Sequence, residues 1–147
     1  GAASFPAGMP VAQGALDLMR RIHADFEFHN ASTEIDTPLI EAFEQRSGVC
    51  QDFAHLMIGM LRMLGQPALQ GTDASHAWVQ LYSPDTPGVA GGWLDLDPTN
   101  NRVPGDSHVR LALGRDYGDV TPLRGVIRGG GEHRLRVRVT TRRIELP

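Results

Sequence analysis

The chain has 147 residues, of which 41% are hydrophobic and 21% charged, and a formal net charge of −3. That balance suits one compact domain and gives no electrostatic ground for a nucleic acid or an anionic membrane as partner. No apolar run approaches the roughly 18 residues of a membrane-spanning helix, the first ten residues do not read as a signal peptide, and a lone cysteine, Cys50, needs no oxidising compartment, so the expected location is the cytoplasm.

Residues 1–10 read as an irregular lead-in. From Val11 to about Phe28, Ala15, Leu18, Met19, Ile22 and Phe26 recur at helical spacing. Asp36 reads as an N-cap and Pro38 as an early helix residue of a short helix reaching Glu44, with Leu39, Ile40 and Phe43 expected to face the core. A more apolar helix follows from about Val49 to Leu64, stopped by Gly65 and Pro67; Met57, Met60 and Met63 read as core filler.

After Pro67 the period changes. Ala77–Tyr82 and Trp93–Asp97 alternate as strands around a Pro/Gly-rich loop at 83–92, and Val109–Leu113 is a candidate third strand. His133–Leu146 alternates again, with Arg134, Arg136 and Arg138 on a solvated face. Helices first and antiparallel strands after make an α+β layout, in a single domain spanning 1–147.

Three residues carry the candidate chemistry. Cys50 stands at the first turn of the most apolar helix, where unpaired N–H groups and the positive end of the helix dipole favour a thiolate, the nucleophilic form. Its own N–H is a candidate oxyanion donor. His76 opens a strand beside a loop of small polar residues. Asp95 and Asp97 share one strand face. If the two strands pair as a hairpin, Asp97 and His76 fall at the same end, where a carboxylate can orient an imidazole. Asp95 lies about 6–7 Å further along by strand rise and is the weaker candidate.

Gly48-Val49-Cys50-Gln51-Asp52-Phe53-Ala54-His55, Ser75-His76-Ala77-Trp78-Val79 and Asp97-Pro98-Thr99-Asn100 resemble the three blocks of the bacterial transglutaminase-like core, whose members are often labelled cysteine proteases. The tail is similar too, through Gly114-Arg115-Asp116-Tyr117-Gly118-Asp119 and the glycines at 129–131. The resemblance spans roughly residues 15–140. It implies a papain/transglutaminase-like α+β core, with Cys50, His76 and Asp97 as catalytic triad, no cofactor and no metal. The implied partner is a peptide or protein amide substrate. It leaves His55 structural and Trp78 packed behind the triad. Tyr117 is a candidate lining residue, and Gln51, Asp52 and Gln45 are candidate polar neighbours of the site.

Water as acyl acceptor makes a peptidase or amidase, an amine makes a transglutaminase or N-acyltransferase, and a module that keeps the fold without catalysis is the third reading. Hydrolysis is favoured, since no residue visibly excludes water or recruits an amine. A zinc site on Cys50, His76 and Asp97 is disfavoured for want of paired Cys/His spacing.

Two departures from the family stand out. Its members commonly carry a β-rich region before the core, so this chain reads as a possible fragment. They also place a strand and a long loop between the cysteine helix and the histidine, where this sequence has only Gln66 to Ser75. A helix over 49–64 is about 24 Å long, and ten extended residues reach about 33 Å. The expectation is therefore a nearly straight return with one strand fewer or, preferably, a break where a loop is missing.

Overall fold

The computed structural model describes residues 1–30, 32–33, 37–72, 76–106 and 108–121, with 125, 128–129 and 140 beyond them. The expected strand His133–Leu146 and the N-cap Asp36 lie outside the described residues.

Helix α1 runs Val11–Asp25 and buries Ala12, Ala15, Leu18, Met19 and Ile22. It stops before the expected Phe28. Phe26 leaves the helix in extended conformation, still buried. The next two residues form β1 (Glu27–Phe28), which pairs in parallel with β2 (Ser47–Gly48). The ladder gives partners to backbone groups a longer helix would have bonded internally: Glu27 N–H donates to Arg46 O at 2.8 Å and His29 N–H to Gly48 O at 3.0 Å. It also fixes where the next helix begins, two residues after Gly48.

Between them lies α2, Leu39–Gln45. Its buried residue is Ala42, not Ile40 or Phe43; Ile40 is 58% exposed, while Leu39 is half-buried. Leu39 packs against the core as expected, and Arg46, in the left-handed region at φ 53°, ends the helix. Its guanidinium then stacks 4.8 Å over the Phe43 ring and 5.0 Å over Phe26.

Helix α3, Cys50–Met63, is the centre of the fold. Phe53, Ala54, Leu56, Met57, Ile58 and Leu61 are buried on it. It ends as expected: Gly65 takes φ 75°, and Gln66 N–H reaches back to Leu61 O at 2.9 Å. Met57 fills core and Met60 packs against its edge, but Met63 is 82% exposed, correcting its assignment as filler.

The sheet packed on α3 has four antiparallel strands: β3 (Ala68–Thr72), β4 (Ala77–Tyr82), β5 (Trp93–Leu96) and β6 (Ala112–Gly114), in the order β5-β4-β3-β6. Ala77, Val79, Leu81 and Leu96 face α1 and α3 in one hydrophobic cluster. The third strand begins later than expected, leaving Val109 and Leu111 exposed.

Strand β3 corrects the reading of residues 66–75. The segment is neither a bare return nor the site of a missing strand. Gln70 is fully buried despite its polar side chain, and Gly71 lies opposite Trp78, where a β-carbon would sit 2.7 Å from the indole nitrogen. Thr72 pairs with Ala77, so a strand does stand between α3 and β4; of the stretch expected to hold a break, 73–75 lies outside the described residues.

Candidate active site

Each candidate residue is held by a different element. Cys50 is the first residue of α3, half-buried, and follows Val49 in extended conformation. Asp52, buried on the first turn, accepts the Val49 N–H at 2.9 Å and so caps the helix start. A β-carbon at Gly48 would lie 2.8 Å from the Asp52 side chain. The pattern Gly48-Val49-Cys50-Gln51-Asp52 is thus a helix-start device: glycine makes room, the aspartate caps, and the cysteine is presented at the N-terminus.

His76 lies immediately before β4 and Asp97 immediately after β5. The hairpin register pairs Val79 with Leu96 and Gln80 with Asp95, which brings the two ends together. His76 Nε2 lies 2.9 Å from Asp97 Oδ2. Cys50 stands close enough to the same imidazole to help raise its pKa. With Nε2 directed at Asp97, Nδ1 is the nitrogen that can exchange a proton with the thiol. Asp95, on the same strand face, is engaged elsewhere: it accepts from Gln80 Nε2 at 2.6 Å and pairs with Arg110 at 3.8 Å.

Asp97 is wholly buried and heavily satisfied. Beside His76, Oδ2 accepts from Asn100 Nδ2 at 2.7 Å and from His108 Nε2 at 3.0 Å, while Oδ1 accepts the Asn100 N–H at 3.1 Å. The turn that permits this is tight. Asp97 and Arg102 exchange two backbone hydrogen bonds, at 2.8 and 3.2 Å, and Asn101 takes φ 49°. His23 of α1 anchors it, with Nδ1 2.9 Å from Thr99 O.

Electrostatics follow from this packing. Burial alone would lower the pKa of His76, but the hydrogen bond and charge of Asp97, with Cys50 adding to them, push it up to about 10. Burial works to raise Asp97, yet its bonds to His76, Asn100 and His108 hold it well below the usual carboxylate range. His76 and Asp97 therefore form an imidazolium–carboxylate pair.

Asn100 and His108 are the residues that sequence reasoning missed. Asn100 closes the segment Asp97-Pro98-Thr99-Asn100, and nothing in that segment assigns it a role. His108 stands in a loop without periodicity and gains meaning only when Asp97 is located. Trp78 is buried behind both histidines, edge-on to His108 at 5.1 Å and 6.2 Å from His76 between ring centres. His55 accepts the Tyr117 N–H at 3.1 Å, tying the short helix α4 (Tyr117–Val120) to α3, and burial foremost lowers its pKa. Gln45 ends α2 exposed. A cleft of about 540 Å³ opens further along the sheet, where Gln80, Trp93, Asp95, Arg110 and Leu113 line it.

A family model described as the transglutaminase-like superfamily matches residues 6–98. The chain belongs to that superfamily. Uncharacterised proteins from Mycobacterium tuberculosis and Mycobacterium leprae are 38% and 33% identical, over 90% and 85% of this chain but only 47% and 48% of their own length. The chain thus spans about half the length of these relatives. A crystal structure named as a "putative cysteine protease" from Cytophaga hutchinsonii is 32% identical, with a TM-score of 0.63 over 74% of this chain and 38% of that one. The α+β fold, helices on an antiparallel sheet, is the transglutaminase-like fold. Membership and this neighbour together support an enzyme of the superfamily that depends on a thiol.

Proposed function

We propose that the domain is a cysteine peptidase or amidase that works through a thioester on Cys50. The observation that carries the reading is the 2.9 Å contact between His76 and Asp97, with Cys50, the first residue of α3, beside the imidazole.

In the first step, the thiolate of Cys50 attacks the carbonyl carbon of an amide. The oxyanion that develops can be met by the Cys50 N–H, one of the helix-start donors without an intrahelical acceptor. His76, as imidazolium, gives its Nδ1 proton to the leaving amine, the C–N bond breaks, and an acyl-thioester remains. Water then attacks the thioester while His76 takes one of its protons. Collapse returns the acid and the thiolate. Asp97 keeps its charge throughout and holds the imidazole in orientation. Asn100 and His108 hold Asp97 in turn, so the carboxylate has little freedom to rotate.

The test is incubation of the full chain with a peptide library and, separately, with glutamine peptides plus a primary amine, followed by mass spectrometry. Hydrolysis that disappears in Cys50→Ala is the expected result. Amine incorporation instead of hydrolysis would move the reading to a transglutaminase, and a Cys50→Ala variant as active as the native chain would refute thiol catalysis.

A further inference from the structure

Asp97 is approached by two imidazoles, and only one of them is needed to orient the base. His76 Nε2 and His108 Nε2 lie 2.9 and 3.0 Å from the same carboxylate oxygen, and the three atoms all lie within 4.8 Å of one another. The side chains are nearly closed off, at 21%, 10% and 0% exposure for His76, His108 and Asp97. They come from three separate places in the chain, each fixed by its own element: the start of β4, the end of β5 and the loop before β6.

We infer that His76, Asp97 and His108 form an inhibitory site for a zinc-type divalent cation. Two imidazole nitrogens and one carboxylate oxygen are a donor set suited to zinc, with water as the fourth ligand once the Asn100 amide, 2.7 Å from Oδ2 and 3.4 Å from His76 Nε2, turns aside. Tetrahedral bonds of about 2.0–2.1 Å put ligand atoms about 3.3 Å apart. The two contacts to Asp97 need to open by a few tenths of an ångström, and the two imidazole nitrogens, which lie within 4.8 Å of each other, draw together by up to about 1.5 Å. The buried carboxylate supplies the negative charge. Binding displaces the Nε2 protons of both histidines to solvent; each histidine then binds through Nε2 and carries its remaining proton on Nδ1, so His76 can keep facing Cys50 while the cation takes its other nitrogen. The Cys50 sulfur is not a ligand.

The consequence for catalysis rests on the function proposed above. A cation between His76 and Asp97 removes the carboxylate that stabilises the imidazolium and adds a positive charge beside the ring. His76 can then no longer carry the proton to the leaving amine, and activity stops until the cation is chelated.

Direct binding separates this inference from the catalytic one. The chelator-treated full chain is titrated calorimetrically with zinc, and separately followed by absorption with cobalt(II). One zinc per chain should bind, and Cys50→Ala, which is inert as a thiol enzyme, should bind it equally well. His108→Gln should weaken binding by about 100-fold or more, since loss of even an outer-shell partner costs about 10–100-fold. Cobalt on the native chain should show ligand-field bands without thiolate-to-metal charge transfer, a readout that holds even if His108→Gln does not fold. Binding lost in Cys50→Ala, native-like binding in a folded His108→Gln, thiolate charge transfer, or no binding by the native chain would each overturn the site. Zinc binding by a chain that hydrolyses nothing would leave the site standing and remove the peptidase reading alone.

Discussion

Replacing Asp97 by Asn removes a charge from the buried end of the His76 pair while keeping its shape. The imidazole titrates at about 10 in the native fold, against 6.5 ordinarily, and burial alone would bring it below that ordinary value. An opposite charge at contact shifts a pKa by about 1–3 units. Asp97→Asn should therefore lower the His76 value by about 2–3 units, or ~3–4 kcal/mol of imidazolium stabilisation at about 1.4 kcal/mol per unit. If the transition state uses all of it, kcat falls about 10²–10³-fold. The sign for stability follows from the same shifts. His76 is raised, so its contribution is complete below pH 6.5 and lost as pH climbs through about 10. Asp97 is lowered, so its contribution is complete above 3.8 and lost as acid protonates it. The stability gap between native chain and variant should thus be widest between these two values and shrink on either side. Imidazole NMR of His76 against pH gives the shift, and urea unfolding at several pH values gives the gap. A His76 titration unchanged in Asp97→Asn would refute the charge-pair argument.

Three further outcomes follow from the site's surroundings. Cys50→Ser should abolish amide hydrolysis and iodoacetamide labelling, seen as loss of the single adduct by intact mass, with a circular dichroism spectrum like the native one. Gly71→Ala pushes a β-carbon to 2.7 Å from the Trp78 indole nitrogen; overpacking of this kind costs about 1–3 kcal/mol, to be read as a lowered melting temperature with altered near-ultraviolet dichroism. Asp52→Ala removes the acceptor of the Val49 N–H and should cost about 0.5–2 kcal/mol by urea unfolding, with slower alkylation of Cys50 as the helix start loosens.

The three candidate residues were legible because each sits at an element boundary marked by its neighbours: Gly48 before the cysteine helix, strand alternation after His76, Pro98 after Asp97. Alternation also fixed β4 to the residue. Strand β3 was not legible, since its local features argue against a strand. Gln70 is polar yet wholly buried, and Gly71 is required by Trp78 across the ladder, a tertiary demand that no local pattern displays. The face of α2 was misread for the opposite reason. Leu39, Ile40 and Phe43 have the right spacing, and Leu39 does pack against the core. But Ala42 takes the close contact and Ile40 and Phe43 stay exposed, lining with Leu39, Leu56, Met60 and Met63 an apolar cleft of about 230 Å³. His108 reaches Asp97 across a turn whose geometry depends on Asn101 in the left-handed region, and nothing in its own neighbourhood announces that.

The pairing of β3 with β6 bears on how the domain can be divided. Gln70, Gly71 and Thr72 are opposite Gly114, Leu113 and Ala112, so a strand from well past the superfamily match, which ends at residue 98, covers the outer side of β3. A recombinant fragment cut at that match would still contain Cys50, His76 and Asp97. It would lose His108, and it would expose β3 as a bare sheet border. Unpaired borders of this kind recruit strands from other molecules. Such a fragment is expected to self-associate, and its inactivity would report the position of the cut instead of the chemistry of the site.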